Sequence, residues 1–237
     1  MTANSLPSDQ LPTPAKAGKW IAIETSGLFG SVAAGIVSRE ACDIVAARPL
    51  PRDARSARTL APTLQLLLSE LGWAPGDLAA VAIAVGPGSF TGLRVGVTTA
   101  KTLAWAAGAA AIGVDTLDAL AVVAGPPQDA SGRLWAVLDA QRGELFAASF
   151  NATGAAWERH TPTRRTAAET LKAELRAGDR VVGPPAVALS GKPIEPTAEA
   201  VLQVAWRRWR DGAAESVFAL APQYHRLSAA EEKLVTK

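Results

Sequence analysis

A glycine-rich segment, Gly86-Pro87-Gly88-Ser89-Phe90-Thr91-Gly92-Leu93-Arg94, has the residue types that most clearly indicate chemistry in this chain. It follows an apolar run, residues 81–85, that predicts a buried strand, and it precedes residues 95–108, which predict a helix. A glycine turn between a strand and a helix N-terminus is typical of anion sites, because glycines let backbone N–H groups approach a ligand. The Gly-Lys-Ser/Thr ending of a P-loop and the spacing of a dinucleotide fingerprint are both missing. We therefore interpret Gly86, Gly88 and Ser89 as a candidate vestigial phosphate loop.

Carboxylates at strand ends offer a second kind of chemistry. Glu24 follows the apolar residues 20–23 and precedes Thr25 and Ser26, and Asp139 ends another predicted strand. In two-lobed ATPases, acidic residues in such positions hold magnesium while hairpin turns contact phosphates. We add Glu24, Thr25 and Ser26 to the candidate phosphate site, with a capping or turn role as the alternative.

Transition-metal and nucleophile chemistry have little support. The two histidines, His160 and His225, are far apart, and Cys42 is the single cysteine, whereas a zinc or iron site needs several convergent ligands. Ser89 does not lie in a Gly-x-Ser-x-Gly elbow, and we expect it to cap the following helix. No catalytic residue and no metal ligand is assigned.

Length and composition set the class of protein. The chain has 237 residues, of which 49% are hydrophobic and 19% charged, which suits one or two compact domains. The net charge of +2 does not by itself indicate nucleic-acid binding. Arginine clusters at 164–165 and 207–210 predict solvated helix faces, with RNA contact as the alternative. The polar residues 1–18 predict a disordered extension, and no run approaches the roughly 20 apolar residues of a membrane span. A single cysteine suits the cytoplasm.

The predicted elements alternate along the chain. A hairpin over residues 20–37 and a strand over 43–47 precede a helix with a leucine stripe, in which Pro62 fits only the first turn. The elements that follow are a helix over 116–123, a hairpin over 134–150, a helix over 166–176, a strand over 180–182 and a helix over 197–209. The pattern indicates an α/β protein with a hint of internal duplication.

The helix after the glycine segment has small residues at every fourth position, and they form a smooth ridge on one side. Such a ridge permits close packing, either against a helix of another subunit or against the protein's own sheet. The opposite side has Arg94, Thr98, Lys101 and Trp105, and Leu66 lies off the leucine stripe of the preceding helix. The ridge residues are Gly92, Gly96, Ala100 and Ala104.

Several of these segments, in this order, resemble the TsaB family. They are residues 21–26, the leucine helix from Leu60, residues 86–96, residues 138–144, and Pro222-Gln223-Tyr224 with Arg226. The resemblance implies an actin-like, two-lobed α/β fold. It implies an N-terminal lobe over 19–114, a C-terminal lobe over 115–211, and a segment, 212–237, that packs back on the first lobe. The family's usual aspartate is replaced here by Glu24, which weakens a magnesium role, and no His-x-x-x-His motif occurs.

The resemblance also implies a function. TsaB proteins are non-catalytic relatives of TsaD, the subunit that transfers a threonylcarbamoyl group to an adenosine of tRNA. The implied role is a partner subunit that binds and activates TsaD through a helical interface. The candidate interface residues are Leu66, Gly92, Leu93, Gly96, Val97, Ala100 and Ala104.

Other implied partners are a TsaE-like ATPase in the complex and a second copy of this chain when TsaD is absent. Contact with tRNA is expected to be indirect or weak, and no membrane partner is expected. No cofactor is assigned to this chain, while ATP and Mg²⁺ in the complex stay open. The alternative function is a small ATP-dependent kinase or ATPase of the actin-like fold, which would need an intact magnesium–phosphate site.

Overall fold

The computed structural model describes residues 15–51, 56–127, 132–212 and 217–225. These residues form ten strands and five α-helices, with the strands in two five-stranded sheets. The predicted disordered extension falls mostly outside the described residues, as do Arg226 and the end of the chain. In the part of the chain that the structure describes, no helix is both long and apolar enough to cross a bilayer.

The first sheet combines an antiparallel hairpin with parallel strands. Its strands are β1 (Gly18–Glu24), β2 (Ser31–Val37), β3 (Cys42–Pro49), β4 (Leu78–Gly86) and β5 (Ala110–Asp115), in the order β3-β2-β1-β4-β5. β4 runs parallel to β1, and β5 runs parallel to β4, so all three strands end at the same edge. Both faces of these strands are covered, which explains why their sequences are nearly continuous apolar runs.

Helices cover both faces of this sheet. On one face lie α1 (Ser56–Glu70) and α2 (Phe90–Ala107), and on the other lies α5 (Ala198–Arg210). α3 (Thr116–Val123) lies between α5 and the second sheet. The prediction places α5 in the C-terminal lobe, 115–211, and in the structure the apolar stripe of α5 is buried against the first sheet. That stripe includes Ala198, Val201, Leu202, Ala205 and Trp209.

The second sheet contains β6 (Leu134–Gln141), β7 (Glu144–Thr153), β8 (Ala156–Arg159), β9 (Arg164–Ala167) and β10 (Arg180–Val182). Its order is β10-β6-β7-β8, and β9 also pairs with β7. The helix predicted over 166–176 is shorter, α4 (Ala168–Glu174), because the residues before it pair with β7 as a strand.

Two helix boundaries differ from the prediction in ways that matter for the site. α2 begins at Phe90 rather than at residue 95, so Gly92 and Leu93 belong to its first turn. Pro62 lies in the second turn of α1 rather than the first. It lies on the exposed side of the helix, away from the buried leucines.

Candidate functional site

The glycine loop, residues 86–89, lies against the first hairpin. A Cβ atom at Gly88 would lie 2.5 Å from the carbonyl oxygen of Ser26, and the φ angle of Gly88 is +157°. The N–H of Ser89 donates to that same oxygen at 2.7 Å. The Ser89 hydroxyl accepts from the N–H of Gly92 at 3.3 Å, so Ser89 caps α2 as predicted. The close approach that glycine permits here is an approach to the chain's own backbone.

A second segment covers the same loop. Residues 217–225, which we name the C-terminal strap, run back along the first sheet, where Val217 and Leu220 are buried in its core. The N–H of Gln223 donates to the carbonyl oxygen of Val85 at 2.7 Å. A Cβ atom at Gly86 would lie 2.6 Å from the carbonyl oxygen of Gln223. The glycine loop is thus enclosed by the hairpin and by the strap.

Glu24, the candidate acidic residue, is fully buried at the end of β1. Its Oε1 accepts from the N–H of Ser26 at 2.6 Å and from the hydroxyl of the same residue. Its Oε2 is also buried and has no hydrogen-bond partner within the described part of the chain. The pKa of Glu24 is raised from 4.5 to about 7, chiefly by burial and to a smaller extent by the nearby charge of Glu195, against the lowering effect of the Ser26 and Gly27 hydrogen bonds.

These residues fit a phosphate and magnesium site poorly. The Ser89 N–H already donates within the chain, and a carboxyl group with a pKa near neutrality is a weak ligand for a hard cation. Among residues 15–51, 56–127, 132–212 and 217–225, no group of three or more His, Cys, Asp or Glu side chains is placed to hold a metal ion. A further carboxylate near this site, which was not predicted, is that of Glu195, whose Oε2 lies 3.3 Å from the position of a Cβ on Gly27. Glu195 lies in a coil segment between prolines, where no sequence pattern marks it.

The ridge of small residues on α2 faces the protein's own sheet. A Cβ atom added at Gly92 would lie 2.0 Å from the carbonyl oxygen of Thr25, and one added at Gly96 would lie 2.1 Å from the Thr25 hydroxyl oxygen. That hydroxyl donates to the carbonyl oxygen of Gly92 at 2.9 Å. Six of the predicted interface residues are buried inside the chain. They are Gly92, Leu93, Gly96, Val97, Ala100 and Ala104.

The seventh predicted interface residue, Leu66, is 49% exposed on α1. α1 and α2 lie side by side, and the outer surface of α2 includes Thr98 and Trp105, of which Trp105 is 68% exposed. We name this surface, defined by Leu66, Thr98 and Trp105, the α1–α2 face. It is the exposed counterpart of the buried ridge.

Comparison with known proteins agrees with this architecture. The family model described as TsaD, tRNA N6-adenosine threonylcarbamoyltransferase, matches residues 49–172. The TsaB protein of Bacillus subtilis is 31% identical over 121 residues, which are 51% of this chain and 52% of that protein. This match therefore spans about half the length of the curated relative. An uncharacterised protein of Mycobacterium tuberculosis is 33% identical over 174 residues, 73% of this chain and 72% of that protein.

The solved structure of YeaZ from Pseudomonas aeruginosa superposes with a TM-score of 0.73 at 22% identity, covering 87% of this chain and 99% of that one. The two sheets, with a hairpin followed by parallel strands in the first, define an α/β protein of the actin-like fold, as predicted. The fold, the match to the TsaD family model and the similarity to TsaB of Bacillus subtilis agree with one another. The chain belongs to the TsaB family.

Proposed function

We propose that this protein is an accessory subunit of threonylcarbamoyl transfer to tRNA, and that it binds and activates a TsaD-like catalytic subunit. The observation that carries the proposal is the α1–α2 face of a TsaB-family chain, where Leu66 and Trp105 are exposed on neighbouring helices. Large apolar side chains at the surface mark interaction sites when they lie together on one face. The helical interface implied by the sequence is thereby moved from the buried ridge to the outer surface of the same two helices.

The residue types suit a protein interface. Tryptophan is enriched among the residues that contribute most to binding, because the indole buries a large area with little loss of side-chain entropy. Thr98, seven residues before Trp105 on the same side of α2, is also exposed and adds a polar side chain of the kind found at the rim of such surfaces. A specific interface needs about 1,000 Å² or more of buried area, so further residues of both helices take part.

The same face supports a second proposal, self-association when TsaD is absent. A two-fold dimer uses one surface twice, and α1 with α2 from each copy would form a four-helix contact. Because both partners would use this face, the homodimer and the TsaD complex exclude one another. We further propose that a TsaE-like ATPase joins the complex through TsaD rather than through this face.

The alternative, a kinase or ATPase, finds less support in the site. Phosphate binding needs unoccupied backbone N–H groups at the glycine loop, whereas Ser89 donates to Ser26 and the strap lies on Gly86. Glu24 is buried with a raised pKa, which disfavours a magnesium-bound carboxylate near neutral pH. These contacts favour a structural role for the loop.

The test is a reconstitution of transfer to unmodified tRNA with TsaD, the partner ATPase and threonylcarbamoyl-adenylate, with and without this chain. Activity should depend on this chain, and the chain alone should have none. Trp105→Glu should abolish both activity and co-purification with TsaD, because it places a charge within the contact. The matched control is Val187→Glu, which changes an equally exposed apolar residue on the second sheet's side and should behave as wild type.

Two results would contradict the proposal. Transfer that proceeds equally well without this chain would remove the accessory role. ATP hydrolysis by the isolated chain, retained in Trp105→Glu, would favour the enzyme alternative.

A further inference from the structure

The outer side of α2 has a regular row of side chains that begins before the α1–α2 face and runs into it. Arg94, Thr98, Lys101 and Trp105 are spaced by four, three and four residues, which places them on one side of an α-helix. Arg94, Thr98 and Trp105 are exposed, and Lys101 is half-buried. The row spans about 16 Å of the helix axis, at 1.5 Å for each residue. The α1–α2 face therefore continues into a surface with two cations, Arg94 and Lys101, which we name the basic patch.

Contacts with the C-terminal strap and its neighbours hold both cations of the basic patch. The ammonium group of Lys101 donates to the carbonyl oxygen of Phe218 at 3.0 Å. The guanidinium carbon of Arg94 lies 5.2 Å from the centroid of the Phe90 ring, which is stacked on the ring of Tyr224 with centroids 4.5 Å apart. Neither a carbonyl oxygen nor an aromatic ring neutralises a full positive charge, and the Lys101 ammonium has two further N–H donors. Both cations therefore remain able to bind carboxylates of another molecule.

The carboxylates near this surface are already paired. Within α1, α2 and the strap, the only Asp or Glu is Glu70, and its Oε2 accepts from the Nε of Arg48 at 3.0 Å. Asp77 lies in the turn that packs on α2, and its Oδ2 accepts from the ammonium group of Lys19 at 2.9 Å. In the part of the chain that the structure describes, the surface formed by α2 and the strap is therefore positively charged.

We propose that the basic patch selects the partner of the α1–α2 face. It fits a protein subunit that presents carboxylates to α2, and it disfavours a second copy of this chain. The inference rests on the proposed function, because the acidic partner that it describes is the TsaD-like subunit. It adds a chemical property of that partner and a reason why the complex prevails over the homodimer.

The selection follows from the sign of the charge. Like charges on facing surfaces repel, and a specific interface combines attraction to one partner with repulsion of others. A two-fold dimer through this face would bring two copies of each cation into the contact, where α1, α2 and the strap offer only the paired Glu70 to neutralise them. Carboxylates on the TsaD-like subunit would instead form ion pairs with Arg94 and Lys101, and the attraction would also speed association.

The test compares the salt dependence of two associations of the full chain. Biolayer interferometry measures its Kd for the TsaD-like subunit, and sedimentation equilibrium measures its Kd for itself. Both are measured from about 0.05 M to about 0.5 M NaCl, a range over which the electrostatic screening length falls about threefold. The complex with the TsaD-like subunit should weaken about fivefold, as expected for two exposed ion pairs. The homodimer should become tighter over the same range, because salt screens the repulsion between the two copies.

Charge variants at one exposed position test the cause of the salt dependence. Arg94→Gln should weaken the complex with the TsaD-like subunit about twofold at low salt, the effect of one exposed ion pair, and should tighten the homodimer. A mixture of wild type and Arg94→Glu should associate more tightly than wild type with itself, because fewer like charges face each other. The matched control is Arg176→Gln, which removes an exposed arginine just after α4 and should leave both Kd values unchanged.

The possible results separate this inference from the proposed function. Opposite salt dependences of the two associations, both reduced in Arg94→Gln, would support the inference. The same salt dependence in both, or an equal effect of Arg176→Gln and Arg94→Gln, would overturn it and leave the accessory role intact, since the complex still forms. A wild-type chain that binds the TsaD-like subunit at no salt concentration would overturn the proposed function, and this inference with it.

Discussion

Replacing Gly96 with alanine tests how closely α2 packs on β1. The added Cβ would lie 2.1 Å from the Thr25 hydroxyl oxygen and 2.9 Å from Cδ1 of Ile83. Both distances are below any normal contact, and both neighbours belong to the first sheet, so the helix or the strand end must move. The same shift breaks the hydrogen bond from Thr25 to the Gly92 carbonyl oxygen.

The expected loss of stability follows from three terms. Overpacking of a well-packed core costs about 1–3 kcal/mol, and we take the upper end because the contact is severe. Loss of the Thr25 hydrogen bond adds about 1 kcal/mol, and the better helix propensity of alanine offsets about 1 kcal/mol. The free energy of unfolding should therefore fall by about 3 kcal/mol. Urea unfolding followed by circular dichroism measures it as a lower midpoint at unchanged slope.

Two further variants test whether the loss of stability comes from the close contact at Gly96. Gly76→Ala is the matched control, since nothing lies within 4 Å of a Cβ at Gly76, and it should change stability by less than about 0.5 kcal/mol. In a double-mutant cycle, Thr25→Ala should restore part of the loss in Gly96→Ala, because it removes the hydroxyl that clashes. A Gly96→Ala protein as stable as wild type would refute the packing described here.

Two other predictions concern buried carboxyl groups. The pKa of Glu24 is raised from 4.5 to about 7, so its contribution to stability is full below pH 4.5 and is lost as the pH rises through 7. Glu24→Gln should remove this pH dependence, which is about 3 kcal/mol, and urea unfolding across that range would show it. Parallel curves for both proteins would contradict the prediction. The Asp179 side chain accepts from Arg133 and from the Trp135 indole, and these bonds outweigh burial and lower its pKa to about 2. Asp179→Ala should lower the free energy of unfolding by about 2–3 kcal/mol at neutral pH. In the wild type this contribution is lost as the pH falls from 3.8 through about 2, and thermal unfolding across that range would measure the loss. An unchanged Tm in the variant would refute the prediction.

Much of the first sheet could be predicted from local pattern. The strand that ends at Glu24 and the strand before the glycine loop are continuous apolar runs, and such runs form where both faces of a parallel sheet are covered. Ser89 was predicted to cap a helix from its position after the glycines, and it does. These features are predictable because they depend on residues that are close in sequence.

The candidate site was predicted less well, and the ridge on α2 shows why. Small residues at every fourth position predict that another backbone packs closely on the helix. They do not indicate whether that backbone belongs to another subunit or to the chain's own strand. The approach is made by Thr25, which is 71 residues before Gly96 in the chain. Likewise, nothing in the sequence of the strap indicates that Gln223 lies on Gly86, since that contact exists only after the first sheet has formed.

By itself, the sequence determined the α/β class, the element order around the glycine loop, and the TsaB resemblance, because periodicity, capping and turn residues act over a few positions. Only the tertiary structure decided which faces are buried and which remain exposed. It assigned α5 to the first sheet, turned the small-residue ridge inward, and left Trp105 and the Phe90–Tyr224 stack at the surface. The physical reason is that burial depends on which distant segments cover a surface, and that information is spread over the whole chain.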